Sequence, residues 1–133
     1  MKIRCIITAA AALTLIGCGD VSDVRVTIKP SEIYSFSEIS RAVEEVKSTF
    51  HSEFDGCTMT SLYYSDEYRA RMREDNSFLD DVTNENDVIC ILAHFYTDDG
   101  ERGDGLYPDS EYVWDFTLLR DGKGWEVKAW GEC

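Results

Sequence analysis

Apolar and polar positions alternate along this chain with several distinct periods, and each period predicts a different element. Residues Cys5 to Ile16 form an apolar run interrupted only by Thr8 and Thr14, behind a short basic start at Lys2 and Arg4. Such a run falls short of the roughly 20 apolar residues a helix needs to span a bilayer, but it suits the core of a signal peptide. Gly19 to Tyr34 is mixed and polar, broken by Pro30, and reads as a tether in which Val24 to Ile28 alternates well enough for a short edge strand. Ser35 followed three residues later by Glu38 is a capping-box pattern, and Ile39, Val43, Val46 and Phe50 then recur at helical spacing. The pattern predicts a helix over Phe36 to Phe54, stopped at Asp55-Gly56.

Beyond that stop the period shortens to two. Thr58 to Tyr64 is rich in β-branched and aromatic residues and predicts a strand, and Asp66 to Arg73 predicts a short helix of alternating charge. Glu74 to Asp87 is polar, anchored only by Phe78, Leu79 and Val82. Three strands follow, Val88 to Tyr96, Tyr112 to Arg120 and Trp125 to Trp130, the last two joined by a tight turn at Asp121-Gly122-Lys123-Gly124. The connection Thr97 to Glu111 is long for a hairpin, a length that usually carries function or disorder. One long helix followed by a curved antiparallel sheet predicts an α+β domain over residues 35–133.

The apolar leader ends in Leu15-Ile16-Gly17-Cys18, which resembles the lipobox of bacterial lipoproteins. That resemblance implies cleavage between Gly17 and Cys18 and a diacylglycerol thioether on Cys18. Two or more acyl chains hold a protein stably where one holds it marginally. Residues 1–17 are then a lipoprotein signal peptide and residues 18–34 the lipidated cysteine and its tether, reaching ~20 Å by flexible-chain scaling.

Two further resemblances lie in the body of the chain. The element order is similar to the nuclear transport factor two-like cone, itself close to the cystatin arrangement. Gly56-Cys57-Thr58-Met59-Thr60 leading to Tyr63-Tyr64, then Gly103-Asp104-Gly105-Leu106, and Trp114 through Leu118-Leu119-Arg120 to Gly124-Trp125-Glu126-Val127-Lys128 and Trp130-Gly131 resemble a group of small Gram-positive lipoproteins of unknown function. These motifs imply a scaffold and not a chemistry, because one fold hosts many functions.

Charge and cysteine content narrow the partners. Removing the 17-residue leader from the 133-residue chain leaves 116 residues, and with Lys2 and Arg4 gone the 13 basic residues become 11 against 26 acidic, a net charge of −15. That balance disfavours nucleic acid and anionic lipid headgroups as direct partners. Cys57, Cys90 and Cys133 then remain, in a compartment that permits disulfides. Cys90 lies in the apolar run Val88 to Phe95, where a buried thiol is expected, so Cys57 and Cys133 at element ends are the favoured pair.

Three sets of residues invite a chemical reading. His94 and Asp115 would meet as an acid–base pair if their strand faces line one cavity; the plainer account is a hydrogen-bonded histidine at a strand end and an aspartate on a solvent face. Asp98, Asp99 and Asp104, in a glycine-bent loop with Asp109 and Glu111 nearby, suit calcium by donor type, although the spacing matches no helix-loop-helix site and Arg102 opposes a cation. Trp114, Trp125, Trp130, Tyr63, Tyr64, Tyr96 and Tyr112 either build the core beneath the helix or rim an apolar pocket. Trp130 alternates opposite to Trp125, so one of the two faces away.

No phosphate-binding glycine loop, nucleophile elbow or zinc-binding histidine pair is present, and the sequence asks for no cofactor. It thus predicts a lipid-anchored, extracytoplasmic binding or interaction domain that contacts the bilayer through Cys18 and takes an apolar ligand or another envelope protein. A small enzyme using His94 and Asp115 is the alternative, and a calcium-stabilised adhesion module comes third.

Overall fold

The computed structural model describes residues 18–75, 84–122 and 124–132. The signal peptide with its Gly17 cleavage position, the anchors Phe78, Leu79 and Val82, and Cys133 lie outside the described residues.

The segment expected to be a tether folds into the domain. Val21, Val24 and Ile28 pack against the main core, and β1 (Arg25–Ile28) lies in the sheet. It pairs in parallel with β2 (Cys57–Tyr64), Arg25 opposite Ser61 and Ile28 opposite Tyr64. Parallel neighbours cannot be joined by a tight turn, so the chain crosses over, and the crossover is α1 (Phe36–Glu53). The tether boundary at residue 34 is therefore corrected: the ordered domain begins at Gly19, whose N–H donates to the His51 carbonyl at 3.0 Å. Gly19 sits so close that a Cβ there would fall 2.3 Å from the Phe50 carbonyl oxygen, which only glycine avoids.

The helix begins and ends as its sequence dictates. The Ser35 hydroxyl accepts from the Glu38 N–H at 3.1 Å and the Ser35 N–H donates to the Glu38 carboxylate at 2.8 Å, closing the capping box. Ile39, Ala42, Val43, Val46 and Phe50 form its buried stripe. Gly56, at φ +73°, turns the chain out of the helix into β2.

After β2 come α2 (Asp66–Asp75), a short 3-10 turn (Glu85–Asp87), β3 (Val88–Thr97), β4 (Glu111–Asp121) and β5 (Gly124–Glu132). The strands lie in sequence order, β1 to β5, with β2 through β5 antiparallel. Bulges interrupt the register between Met59 and Ser61 and between Thr117 and Leu118.

These findings overturn the expected fold class. Among the described residues the fold is a five-stranded mixed sheet with two helices and more strand than helix, not a cone made of one long N-terminal helix on a curved antiparallel sheet. The physical cause is β1: once it pairs in parallel, α1 becomes a crossover between neighbouring strands. The face beneath α1 is filled by Phe50, Phe54, Met59, Leu62, Ile91, Phe95, Phe116 and Leu118. Tyr68 and Met72 of α2 form a second, smaller cluster with Val88 and Cys90. No helix among the described residues is long and apolar enough to cross a membrane.

Candidate functional site

His94 and Asp115 do not form an acid–base pair. Asp115 pairs across the ladder with Leu92, and His94 with Val113. Asp115 is only 5% exposed, and its two oxygens accept from the Tyr68 hydroxyl at 2.5 Å and the Thr117 hydroxyl at 2.6 Å. Burial raises its pKa above the ordinary carboxylate value, while the two hydroxyls pull the other way. His94 is exposed, and among the described residues no hydrogen bond joins it to Asp115. Its carbonyl accepts from the Thr60 hydroxyl at 3.1 Å. Cys90 lies beside Thr117, Sγ to Oγ1 3.9 Å, and burial pushes its thiol up to about 12, so it stays protonated and inert at neutral pH.

The acidic loop is organised around a guanidinium, not around a metal. Arg102 Nη2 donates to the Asp55 carbonyl and to Asp104, both at 2.7 Å, and Arg102 Nη1 lies 3.7 Å from Asp98. Asp99 is exposed and takes no part in this bridge. The loop thus supplies its own cation beside carboxylates that suit calcium by donor type, although a solvated hairpin loop was the expected reading. Among the described residues, no group of three or more His, Cys, Asp or Glu is placed to hold a metal ion.

Cys57 sits beneath this loop as a buried free thiol, 3.5 Å from Arg102 Nη2. Burial raises its pKa, with Arg102 opposing. The expected Cys57–Cys133 bridge is therefore corrected, since Cys57 is unpaired in a disulfide sense and already covered by the loop. Cys18, half-buried at the chain's entry to the domain, is the disulfide-bonded cysteine, its partner outside the described residues. Gly19 and Asp20 hold that entry rigidly: His51 Nδ1 meets the Gly19 carbonyl at 2.9 Å, and the Asp20 N–H and carbonyl bond Cys57 and Met59 of β2.

A third polar cluster pins the sheet to α2 and to the segment that leads into α1. Asp66 accepts from the Ser31 and Tyr64 hydroxyls, each at 2.7 Å, and from the Glu32 N–H at 2.8 Å. Burial alone would raise its pKa, but these donors together with Arg69 hold it below the ordinary range. Arg69, nearly buried, donates from Nε to the Val88 carbonyl at 2.9 Å, and the Tyr34 hydroxyl donates to the same carbonyl.

What the molecule opens to solvent is a groove of about 770 Å³ between α1 and the start of β5. Phe36, Ser37, Ser40, Arg41, Glu44 and Glu45 form one wall; Asp121, Gly124, Trp125 and Glu126 form the other. Trp125 is buried as the floor, its indole N–H donating to the Glu38 carbonyl at 3.0 Å and its ring lying under the Arg120 guanidinium, 4.6 Å away. Phe36 is 70% exposed at the helix start. A large apolar side chain in water beside a buried tryptophan marks a contact surface more directly than any scattered exposed residue.

No protein-family profile, curated protein or solved structure matches this chain. Its own geometry must therefore carry the functional reading.

Sequence reasoning missed this groove, because Phe36 reads there only as the first residue of a helix. Alternation set Trp125 and Trp130 on opposite faces, but both lie on the α1 face, because the register slip beside Thr117 and Leu118 resets the alternation along β5. Phe54 stacks on Phe50 at 4.7 Å and also meets Trp114 and Trp130, so those two tryptophans belong to the α1 face. Trp130 still stays 42% exposed, being on the edge strand. Tyr96, with Val113, is exposed on the other face.

Proposed function

We propose that this chain is exported and anchored to the outer face of a cell membrane by lipid on Cys18, and that it acts there as a binding or interaction domain. The leader supports the first half: a basic start, an apolar core, and Leu15-Ile16-Gly17-Cys18 at its end, which makes Cys18 the first residue after cleavage. A thioether and a disulfide exclude each other on one sulfur. The cross-linked Cys18 is thus the form of a chain that carries no lipid, and the proposed anchor needs that sulfur acylated instead.

The observation that carries the second half is the open groove with Phe36 and Trp125 at its centre. Asp115 is turned inward onto Tyr68 and Thr117, and the exposed Asp98 and Asp104 are engaged by Arg102. Because Gly19 is docked against the end of α1, a lipid on Cys18 leaves the domain no slack. It would ride directly on the bilayer with the C-terminal end of α1 nearest the headgroups.

Fractionating cells that express the chain tests this reading. The native protein is expected in the membrane fraction and Cys18→Ser in the medium or the soluble extract. A native protein that is soluble, or a Cys18→Ser variant that stays with the membrane, overturns the anchor.

A further inference from the structure

We infer that the outer edge of β5 and the groove beside it form a homotypic interface, where a second copy of this chain pairs antiparallel with β5 and seats its Trp130 in the groove. This rests on reading the domain as an interaction module and names the partner.

β5 is the last strand in the sheet order, so among the described residues no strand pairs with its outer side. An edge of nine residues presents main-chain N–H and C=O groups that another strand satisfies. The groove between α1 and Gly124–Glu126 lies along that edge, with Trp125 as its apolar floor and the exposed Phe36 on its wall. Its carboxylates do not single out a cationic partner, because Glu44 lies 3.4 Å from Lys47 and Glu126 lies 3.2 Å from Lys128. Recognition here is apolar and main-chain.

The same edge carries a side chain that fits. Trp130 is 42% exposed, further along β5 from Trp125. Leu118 pairs with Val127 and Thr117 with Ala129, so Lys128 is an extra residue in β5 and the alternation is reset there. Trp125, Val127 and Trp130 consequently all lie on the α1 face. Residues directly opposite in an antiparallel pair share a face. A two-fold that places Val127 opposite the second copy's Trp130 keeps the faces in step on both sides of the slip. It also sets Trp125 opposite Glu132, Glu126 opposite Gly131 and Lys128 opposite Ala129. Every charged residue of β5 then meets an uncharged one, and the incoming Trp130 falls beside Trp125 at the groove. Each copy gives one tryptophan and receives one, which closes the assembly at two.

The opposite edge offers no such match. β1 has only four residues and stops two short of Pro30.

The test is sedimentation equilibrium of the mature chain carrying Cys18→Ser, with reductant present, so that neither lipid nor a disulfide joins two copies. A reversible monomer–dimer equilibrium is expected. It should tighten as salt rises, because both copies are strongly acidic and salt screens their repulsion. A chain that stays monomeric at millimolar concentration overturns the inference, and so does growth into larger species, which a closed pair forbids.

Two variants locate the interface. Trp130→Ser and, separately, Phe36→Ser are each expected to weaken dimerisation roughly tenfold. Trp130 also packs on Phe54, whereas Phe36 is 70% exposed, so Phe36→Ser reads the interface without loosening the core. On dilution, NMR shifts are expected at the β5 amides and the Trp125 indole N–H. A dimer that both variants leave unchanged, or shifts confined to β1 or α2, overturns the assignment. The amide spectrum of each variant shows that it is folded. These outcomes are independent of the fractionation test, which reads the anchor and not the edge.

Discussion

The two faces of the sheet are built on different principles. Beneath α1, the face is a continuous aromatic and aliphatic layer in which Phe54 touches Phe50, Phe95, Trp114, Phe116 and Trp130. Beneath α2, a small apolar cluster of Tyr68, Met72, Val88 and Cys90 surrounds a buried carboxylate, and the sheet beyond it leaves His94, Tyr96 and Val113 in water. The first face contributes stability through area and ring packing, the second through hydrogen bonds that are costly to break one at a time. The difference also explains what Asp115 does in the fold. Its partners are contributed by α2 and β4 themselves, so removing it damages the seam between helix and sheet.

The comparison can be broken in order of expected effect. Phe54→Ala empties the centre of the aromatic layer and is expected to cost about 3–5 kcal/mol in urea unfolding; Met72→Ala, on the smaller face, belongs at the low end of the large-to-small range, about 2 kcal/mol. Equal losses would abolish the contrast between the faces.

Asp115→Leu leaves the Tyr68 and Thr117 hydroxyls without their acceptor and is expected to cost about 1–3 kcal/mol, whereas Asp115→Asn keeps an acceptor and costs less. Their pH dependence separates the faces further. The folded state raises the Asp115 pKa, so between its ordinary value of 3.8 and its folded value the native state holds the extra proton. Its contribution to stability therefore falls as pH rises through that window. Asp115→Asn lacks this loss, and its stability relative to native is expected to improve as pH rises from about 4. Asp66 has the opposite sign: held below its ordinary value, it contributes stability at neutral pH that is lost as pH falls through its folded value. Asp66→Asn is expected to cost about 1 kcal/mol at pH 7, a cost that shrinks in acid. The smallest effect is at the helix start, where Ser35→Ala removes one side of the capping box for about 1 kcal/mol or less.

Local pattern made some of this legible in the sequence and left the rest hidden. The α1 boundaries follow from Ser35, Glu38 and a buried stripe at helical spacing, all information within one helix. The strands β3, β4 and β5 follow from alternation and from the Asp121–Gly124 turn. The parallel pairing of β1 was not legible. Four largely exposed residues carry no local sign of a partner lying beyond an 18-residue helix, and that one pairing decided the fold class. The Asp115 partner was hidden for a similar reason, since Tyr68 lies 47 residues away on a helix whose pattern shows only charge. Cys57 looked available for a disulfide because nothing in the sequence brings Arg102 over it. Arg102 itself was seen to oppose a cation, but the way it bridges Asp98 and Asp104 is a property of the folded loop.

Everything proposed about where this domain works turns on one sulfur. The direct measurement is mass spectrometry, without reduction, of the N-terminal peptide of the protein purified from the cells that make it. The account predicts a chain that begins at Cys18 and carries the added mass of acyl groups on that residue. A peptide that begins elsewhere, or a Cys18 joined to another cysteine and bearing no lipid, would contradict it.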